Sequence, residues 1–197
     1  PGVLLRGLGQ LWFRVFGWQL EGQMPATTRV VIIAAPHTTN WDLPHMLASA
    51  YQLGMRPSWL GKRQLFRAPC GWFMRQVGGV RGERGQLSNV VQHAAARFQE
   101  VERLFLVVPP SGTRKRAPHW KSGFYHIAHA AGVPIVCTFL DYSRKGAGVG
   151  LVLRASGDVG ADMDKIRAFY APIRGKYPEL MTPIRLPEED APRAATA

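Results

Sequence analysis

Residues 36–42, Pro-His-Thr-Thr-Asn-Trp-Asp, set His37 five positions before Asp42. At that spacing the chain can curl so that the carboxylate meets one imidazole nitrogen. The contact fixes the tautomer and stabilises the imidazolium, leaving the other nitrogen to take a proton. The chain has no Gly-x-Ser-x-Gly elbow, no Walker loop ending in Gly-Lys-Ser/Thr and no His-Glu-x-x-His. Without a serine or cysteine elbow, the proton would come from a substrate hydroxyl, with direct transfer to that hydroxyl and no covalent enzyme intermediate. Taken alone, a His–Asp pair at this spacing is structural more often than not.

Other clusters carry less. His126 and His129 share a face of an expected helix, but no neighbouring carboxylate or thiol completes a metal set, so both read as ordinary helix residues. Gly79-Val-Arg-Gly82 has the form of a GxxG nucleic-acid clamp. The strands and helices around it do not spell that small RNA-binding fold, and nucleic acid is not the expected partner.

The 197 residues carry 25 Lys and Arg against 13 Asp and Glu, a formal net charge of +12. Residues 56–121 alone hold 13 basic and three acidic side chains, a net of +10. An even solvating coat would not concentrate this way, so the middle third of the chain is expected to meet an anion. Charge alone leaves nucleic acid, anionic lipid and phosphorylated small molecules open. Two cysteines, Cys70 and Cys137, make no disulfide framework and fit a reducing compartment, where both read as small core residues. No apolar run approaches the roughly 18 residues of a membrane span.

The elements that must position His37 and Asp42 follow from the patterning. Residues 29–35 are a buried β-rich run closed by Pro36, so the His–Asp segment sits at the carboxyl end of a strand, where α/β folds place their sites. A helical pattern runs through Leu47, Tyr51 and Leu53. Short strands are expected at 58–60 and 78–80, with a helix between them at 62–76. Further helices are predicted at 89–103, 123–131 and 163–170, and strands at 104–108, 134–140 and 150–154. Strands and helices alternate, which predicts a single α/β domain with a mixed, largely parallel sheet flanked by helices.

Four blocks, in order, resemble the glycerolipid acyltransferases, in the small bacterial branch of the lysophosphatidic acid acyltransferases. Residues 36–42 resemble the family's His-x4-Asp motif. Lys62, Leu65, Pro69 and Gly71, with Gly79 to Arg84, resemble its second block. Pro110-Ser111-Gly112-Thr113-Arg114 resembles the third and Gly132-Val-Pro134-Ile-Val136 the fourth. The likeness runs from about residue 20 to 176.

The resemblance implies a role for each matching position. His37 would be the general base and Asp42 its orienting partner. Arg84 and Arg114 would meet an acceptor phosphate through bidentate guanidinium contacts. Gly112 and Thr113 would let the backbone approach that anion, and Asn40, Lys62 and Ser111 are further candidate substrate contacts. No metal or resident cofactor is implied. The donor would be an acyl thioester, acyl-CoA or acyl-ACP, and the acceptor a lysophospholipid-like hydroxyl, first of all 1-acylglycerol-3-phosphate. The basic window spans the second and third blocks, where those phosphates should bind. Ser111 departs from the glutamate usual in the third block, which removes a charge partner of Arg114. An acyltransferase for another hydroxylated lipid and a catalytically silent lipid-binding relative are the alternatives at this point.

The expected plan is an N-terminal amphipathic helix over 1–20, an acyltransferase domain over 21–185 and a loose tail over 186–197. Leu4, Leu8, Leu11, Trp12, Val15 and Phe16 recur at helical spacing, broken by Arg6 and Arg14. This helix either packs on the domain or lies in a membrane interface, where Arg would meet lipid phosphate. An anionic membrane surface is the expected partner, and the expected place is the cytoplasmic face of the membrane, peripherally, or the cytoplasm. His45 and His93 read as surface helix positions, and Trp41 as packing for the motif loop.

Overall fold

The β-branched run at 29–35 becomes the middle of the fold. The computed structural model describes residues 2–61, 71–81 and 87–190. Its elements are α1 (Val3–Phe16), β1 (Gln19–Glu21), β2 (Arg29–Ala35), α2 (Asp42–Gln52), β3 (Pro57–Gly61), α3 (Gly71–Gln76) and β4 (Gly79–Arg81). Then follow α4 (Leu87–Glu100), β5 (Leu104–Val108), α5 (Gly123–Ala131), β6 (Ile135–Asp141), β7 (Gly146–Leu153) and α6 (Val159–Tyr170).

Among the described residues, seven strands lie in the order β1-β7-β6-β2-β5-β3-β4. β2 pairs in parallel with β5 on one side and β6 on the other, and β3 pairs in parallel with β5 and β4. β7 turns back antiparallel to β6, and β1 joins β7 in parallel. The sheet is therefore mixed and largely parallel, as the alternation of elements predicts. Burial on both faces explains why β2 reads as a continuous apolar run.

Successive residues of β2 feed opposite faces. Val31, Ile33 and Ala35 pack with Phe98 of α4, Phe124 and Ile127 of α5, and Met163 and Ile166 of α6. Val30 and Ile32 pack with Ala50 of α2, Met55 and Trp59 on the other face. Helix ends follow their caps: Gly132 closes α5 at φ 65°, and the Asp158 carboxylate accepts the Ala161 N–H at 3.0 Å to open α6.

The N-terminal helix stops at Phe16, earlier than the expected residue 20, because Gly17 takes a left-handed cap at φ 68°. Residues 19–21 are strand β1, which the sequence reading did not foresee. α1 lies on α2, where a Cβ at Gly9 would stand 2.6 Å from the Ala48 carbonyl oxygen, so glycine sets the close crossing. Phe13 is buried there, whereas Leu4, Leu8, Leu11 and Val15 are each more than half exposed. One side of the helix packs and the other stays apolar and open. Among the described residues no helix is long and apolar enough to cross a membrane.

The tail is not loose where it is described. Leu186 is fully buried in the core, its N–H donates to the Glu189 carboxylate at 2.6 Å, and Glu189 pairs with Arg167 at 2.7 Å. Glu188 pairs with His126 at 3.1 Å. The expectation of a loose segment from 186 is thus corrected as far as Asp190. Residues 191–197 lie outside the described residues.

Candidate active site

β2 ends at a cis Ala35–Pro36 peptide, and the loop from His37 to Trp41 leads into α2, with Asp42 as its first residue. A carboxylate suits the amino end of a helix, and Pro44 fits the first turn, where no intrahelical N–H is needed. The Asp42 carboxylate reaches back over the loop. Its Oδ2 accepts the Thr38 N–H at 2.9 Å and the Thr39 N–H at 3.0 Å. The same oxygen lies 3.0 Å from His37 Nδ1. Facing an acceptor, Nδ1 carries the hydrogen. Nε2 is left without a partner among the described residues, on a ring that borders the cavity described next.

That cavity has a volume of about 500 Å³. Its polar rim includes His37, Asn40, Asp42, Thr113, Arg114 and Lys115. Its buried wall is the apolar cluster beneath α2, with Ile32, Ala50, Met55, Trp59 and Val107. A proton acceptor thus stands beside cations, and an oily chamber runs inward from both.

Arg114 arrives from the loop after β5, the strand beside β2. Pro109 accepts the Gly112 N–H at 3.0 Å, and Gly112 takes φ 63°, a conformation costly for any residue with a Cβ. The Lys121 side chain covers this glycine, its Nζ 3.0 Å from where a Cβ would stand. Ser111 is buried, and its hydroxyl donates to the Thr113 carbonyl at 2.8 Å. The hydroxyl thereby closes its own turn. A second space of about 20 Å³, room for a water, lies beside Ser111 between His37, Trp120 and Thr182.

Two further side chains complete the surroundings of Asp42. Tyr142, just past the end of β6, donates its hydroxyl to Asp42 Oδ1 at 2.8 Å. Burial and the neighbouring Asp42 charge push this hydroxyl well above its usual range, so it remains a donor. His45 is 4% exposed, not the surface position expected. The reason is α1, laid over what would otherwise be the solvent face of α2. The Trp12 indole N–H donates to His45 Nδ1 at 3.0 Å, and Trp18 stacks on the ring at 4.2 Å. Burial holds the His45 pKa down to about 4, with Asp42 opposing the shift and Lys176 adding to it.

Sequence-predicted residues fare unevenly. His37, Asp42, Asn40, Gly112, Thr113 and Arg114 come together around one cavity, and Ser111 lies behind it. Lys62 and Arg84 lie outside the described residues. Trp41 does not pack inside the loop: it is 46% exposed, with Lys176 Nζ 5.5 Å over its ring and Phe16 6.1 Å away. His93 is an exposed helix position, and Cys137 is fully buried. The sequence reading missed Tyr142 and the two threonine amides. Tyr142 could have been sought at the carboxyl end of a strand, the same rule that located His37. Backbone donors leave no mark in a sequence.

The family model described as Acyltransferase matches residues 19–140. The 1-acyl-sn-glycerol-3-phosphate acyltransferase of Haemophilus influenzae is 29% identical over 145 residues, covering 68% of this chain and 58% of that protein. This chain therefore spans less than two thirds of the relative's length. Among solved structures, the 1-acyl-sn-glycerophosphate acyltransferase PlsC from Thermotoga maritima aligns with a TM-score of 0.56 at 16% identity. That alignment covers 85% of this chain and 74% of the other, and the likeness is one of fold.

Proposed function

The chain belongs to the acyltransferase family, and from that premise we propose that it moves a fatty acyl chain from a thioester to the hydroxyl of a lysophospholipid-like acceptor. The observation that carries this reading is the His37–Asp42 pair at the rim of a largely apolar cavity that also presents Arg114. His37 Nε2 takes the proton of the acceptor hydroxyl as its oxygen attacks the thioester carbonyl. The tetrahedral intermediate collapses, the C–S bond breaks, and the imidazolium returns the proton to the departing thiolate. Asp42 holds Nδ1–H and offsets the charge on the ring while it is an imidazolium.

The acyl chain is assigned to the apolar chamber and the acceptor's phosphate to Arg114, with Lys115 beside it at the rim. The resemblance implies the same anion for Arg84. 1-Acylglycerol-3-phosphate carries the phosphate that this assignment gives to Arg114. The donor is acyl-CoA or acyl-ACP, and the basic window suits either, since both present negative charge. No resident cofactor enters the scheme.

The exposed stripe of α1 and the Trp41–Lys176 pair give the protein a face suited to an anionic membrane surface. Leu4, Leu8, Leu11 and Val15 would enter the headgroup boundary, with Arg6 and Arg14 meeting phosphate. This reading makes the protein peripheral.

The test is an acyl-transfer assay with CoA- and ACP-linked donors against lysolipids with and without a free phosphate, read by mass spectrometry. Transfer to a phosphate-bearing acceptor is expected. Lipid binding with no turnover on any acceptor would sink the reading and leave a silent lipid-binding relative.

A further inference from the structure

The Asp42 carboxylate divides its work unequally. Oδ2 takes three donors: His37 Nδ1 at 3.0 Å, Thr38 N–H at 2.9 Å and Thr39 N–H at 3.0 Å. Oδ1 takes one, the Tyr142 hydroxyl at 2.8 Å. With only the three donors on Oδ2, the carboxylate plane could still tilt about the Cβ–Cγ bond. A fixed donor on Oδ1 resists that tilt.

Tyr142 is itself held on every side. Its N–H donates to the Arg174 carbonyl at 2.9 Å. Its ring meets Trp18 edge-on at 4.9 Å and His45 edge-on at 5.8 Å. The turn that follows is pinned by Asp141, which accepts the Ser143 N–H at 3.0 Å and Arg144 Nε at 3.0 Å. Tyr142 is not part of the cavity wall, so it acts on the reaction only through Asp42.

We propose that Tyr142 is a positioning residue for the His37–Asp42 pair, setting the plane of the Asp42 carboxylate so that Oδ2 stays on Nδ1. The proposal rests on the acyl-transfer reading for its kinetic consequence, but not for its structural one. The charged and titratable groups around the pair come from four places. They are His45 on α2, Lys176 and Tyr177 on the C-terminal segment, Arg114 and Lys115 at the rim, and Tyr142 itself.

The experiment pairs kinetics with NMR on the full chain. Tyr142→Phe keeps the ring and removes the donor. It should lower kcat about tenfold, the size expected for losing one hydrogen bond to a charged group, and leave both substrates' KM near wild type. In the wild type the His37 Nδ1 proton should give a sharp low-field resonance. In Tyr142→Phe that resonance should broaden or vanish, and the long-range ¹H–¹⁵N pattern should show mixed tautomers. A purely structural tyrosine would lower stability and move neither signal. Should Tyr142→Phe not fold, 3-fluorotyrosine at position 142 keeps the shape and strengthens the donor, and the same resonance must shift. An unchanged Nδ1 signal overturns the proposal, whatever kcat does. If the wild type transfers no acyl group, the NMR arm still decides it, so the two failures stay distinct.

Discussion

The indole N–H of Trp12 donates to Nδ1 of His45 at 3.0 Å and so ties the N-terminal helix to the helix that begins with Asp42. The bond requires a neutral ring with Nε2 protonated, since a protonated Nδ1 could not accept. Burial agrees, holding the His45 pKa down to about 4.

A pH dependence follows from this pair. Unfolded, a histidine titrates near about 6.5, so below that pH the unfolded chain binds a proton that the folded chain refuses. The contribution is fully present above pH ~6.5 and is lost as pH falls toward 4, by up to about 3 kcal/mol. His45→Phe should flatten the slope of urea-unfolding free energy between pH ~6.5 and 4.5. At pH 7 it should cost about 1–3 kcal/mol, because the Trp12 N–H is left without its acceptor. A slope equal to wild type would show that some other group sets the acid sensitivity.

Removing His37 should stop the chemistry without unfolding the site. His37→Ala is expected to lower kcat by about 10²–10⁴-fold with lipid binding retained. Asp42→Asn should be comparably impaired, because a neutral amide cannot offset the charge of the imidazolium even where its oxygen keeps the contacts of Oδ2. More than about a tenth of wild-type rate in His37→Ala would detach the imidazole from proton transfer.

The phosphate contact proposed for Arg114 should separate headgroup recognition from chemistry. Arg114→Ala should raise the KM of a phosphate-bearing acceptor about 10–150-fold, the worth of a charge-assisted contact of roughly 1.5–3 kcal/mol. The donor KM should change far less. Arg114→Lys should recover only part, since an ammonium lacks the two-pronged fork. Equal losses on phosphate-bearing and phosphate-free acceptors would make the residue structural.

The exposed stripe of α1 can be altered without touching its packed side. Leu8→Gln with Leu11→Gln should leave the melting temperature near wild type, because both side chains are more than half exposed while Gly9 and Phe13 keep the contact with α2. Co-sedimentation with anionic liposomes should fall, and added salt should lower it further by screening the basic surface. Binding indifferent to both changes would remove the membrane role of the helix.

What the sequence disclosed and what it hid divide along chain distance. His37 and Asp42 lie on one short loop after a strand, so their spacing allowed the contact and the resemblance of the four blocks singled it out. The core strand 29–35 was legible because burial on both faces leaves an unbroken apolar run. Tyr142 meets Asp42 from 100 residues away, and only the parallel sheet brings the ends of β2 and β6 side by side. His45 looked exposed because its own helix offers it to solvent, and α1 decides otherwise. Leu186 sits in a polar, proline-flanked stretch that reads as loose, yet it is fully buried. In each case a long-range contact overrode a correct local reading.

With the acyl chain in the apolar chamber, as proposed, one side chain should move the limit on acyl length. Ala50 is buried on α2 and lines the cavity beside Met55 and Trp59, so Ala50→Leu places extra carbon inside the chamber rather than in packed core. Each methylene of substrate displaced from apolar contact costs about 0.8 kcal/mol, close to fourfold in kcat/KM. Ala50→Leu should therefore lower kcat/KM for the longest good donor by about fourfold per displaced methylene and leave donors a few carbons shorter nearly unaffected. A chain-length series of acyl thioesters with a fixed acceptor measures this directly. A uniform loss across the series would mean that Ala50 borders some other part of the cavity, and the acyl chain would have to be sought elsewhere along its wall.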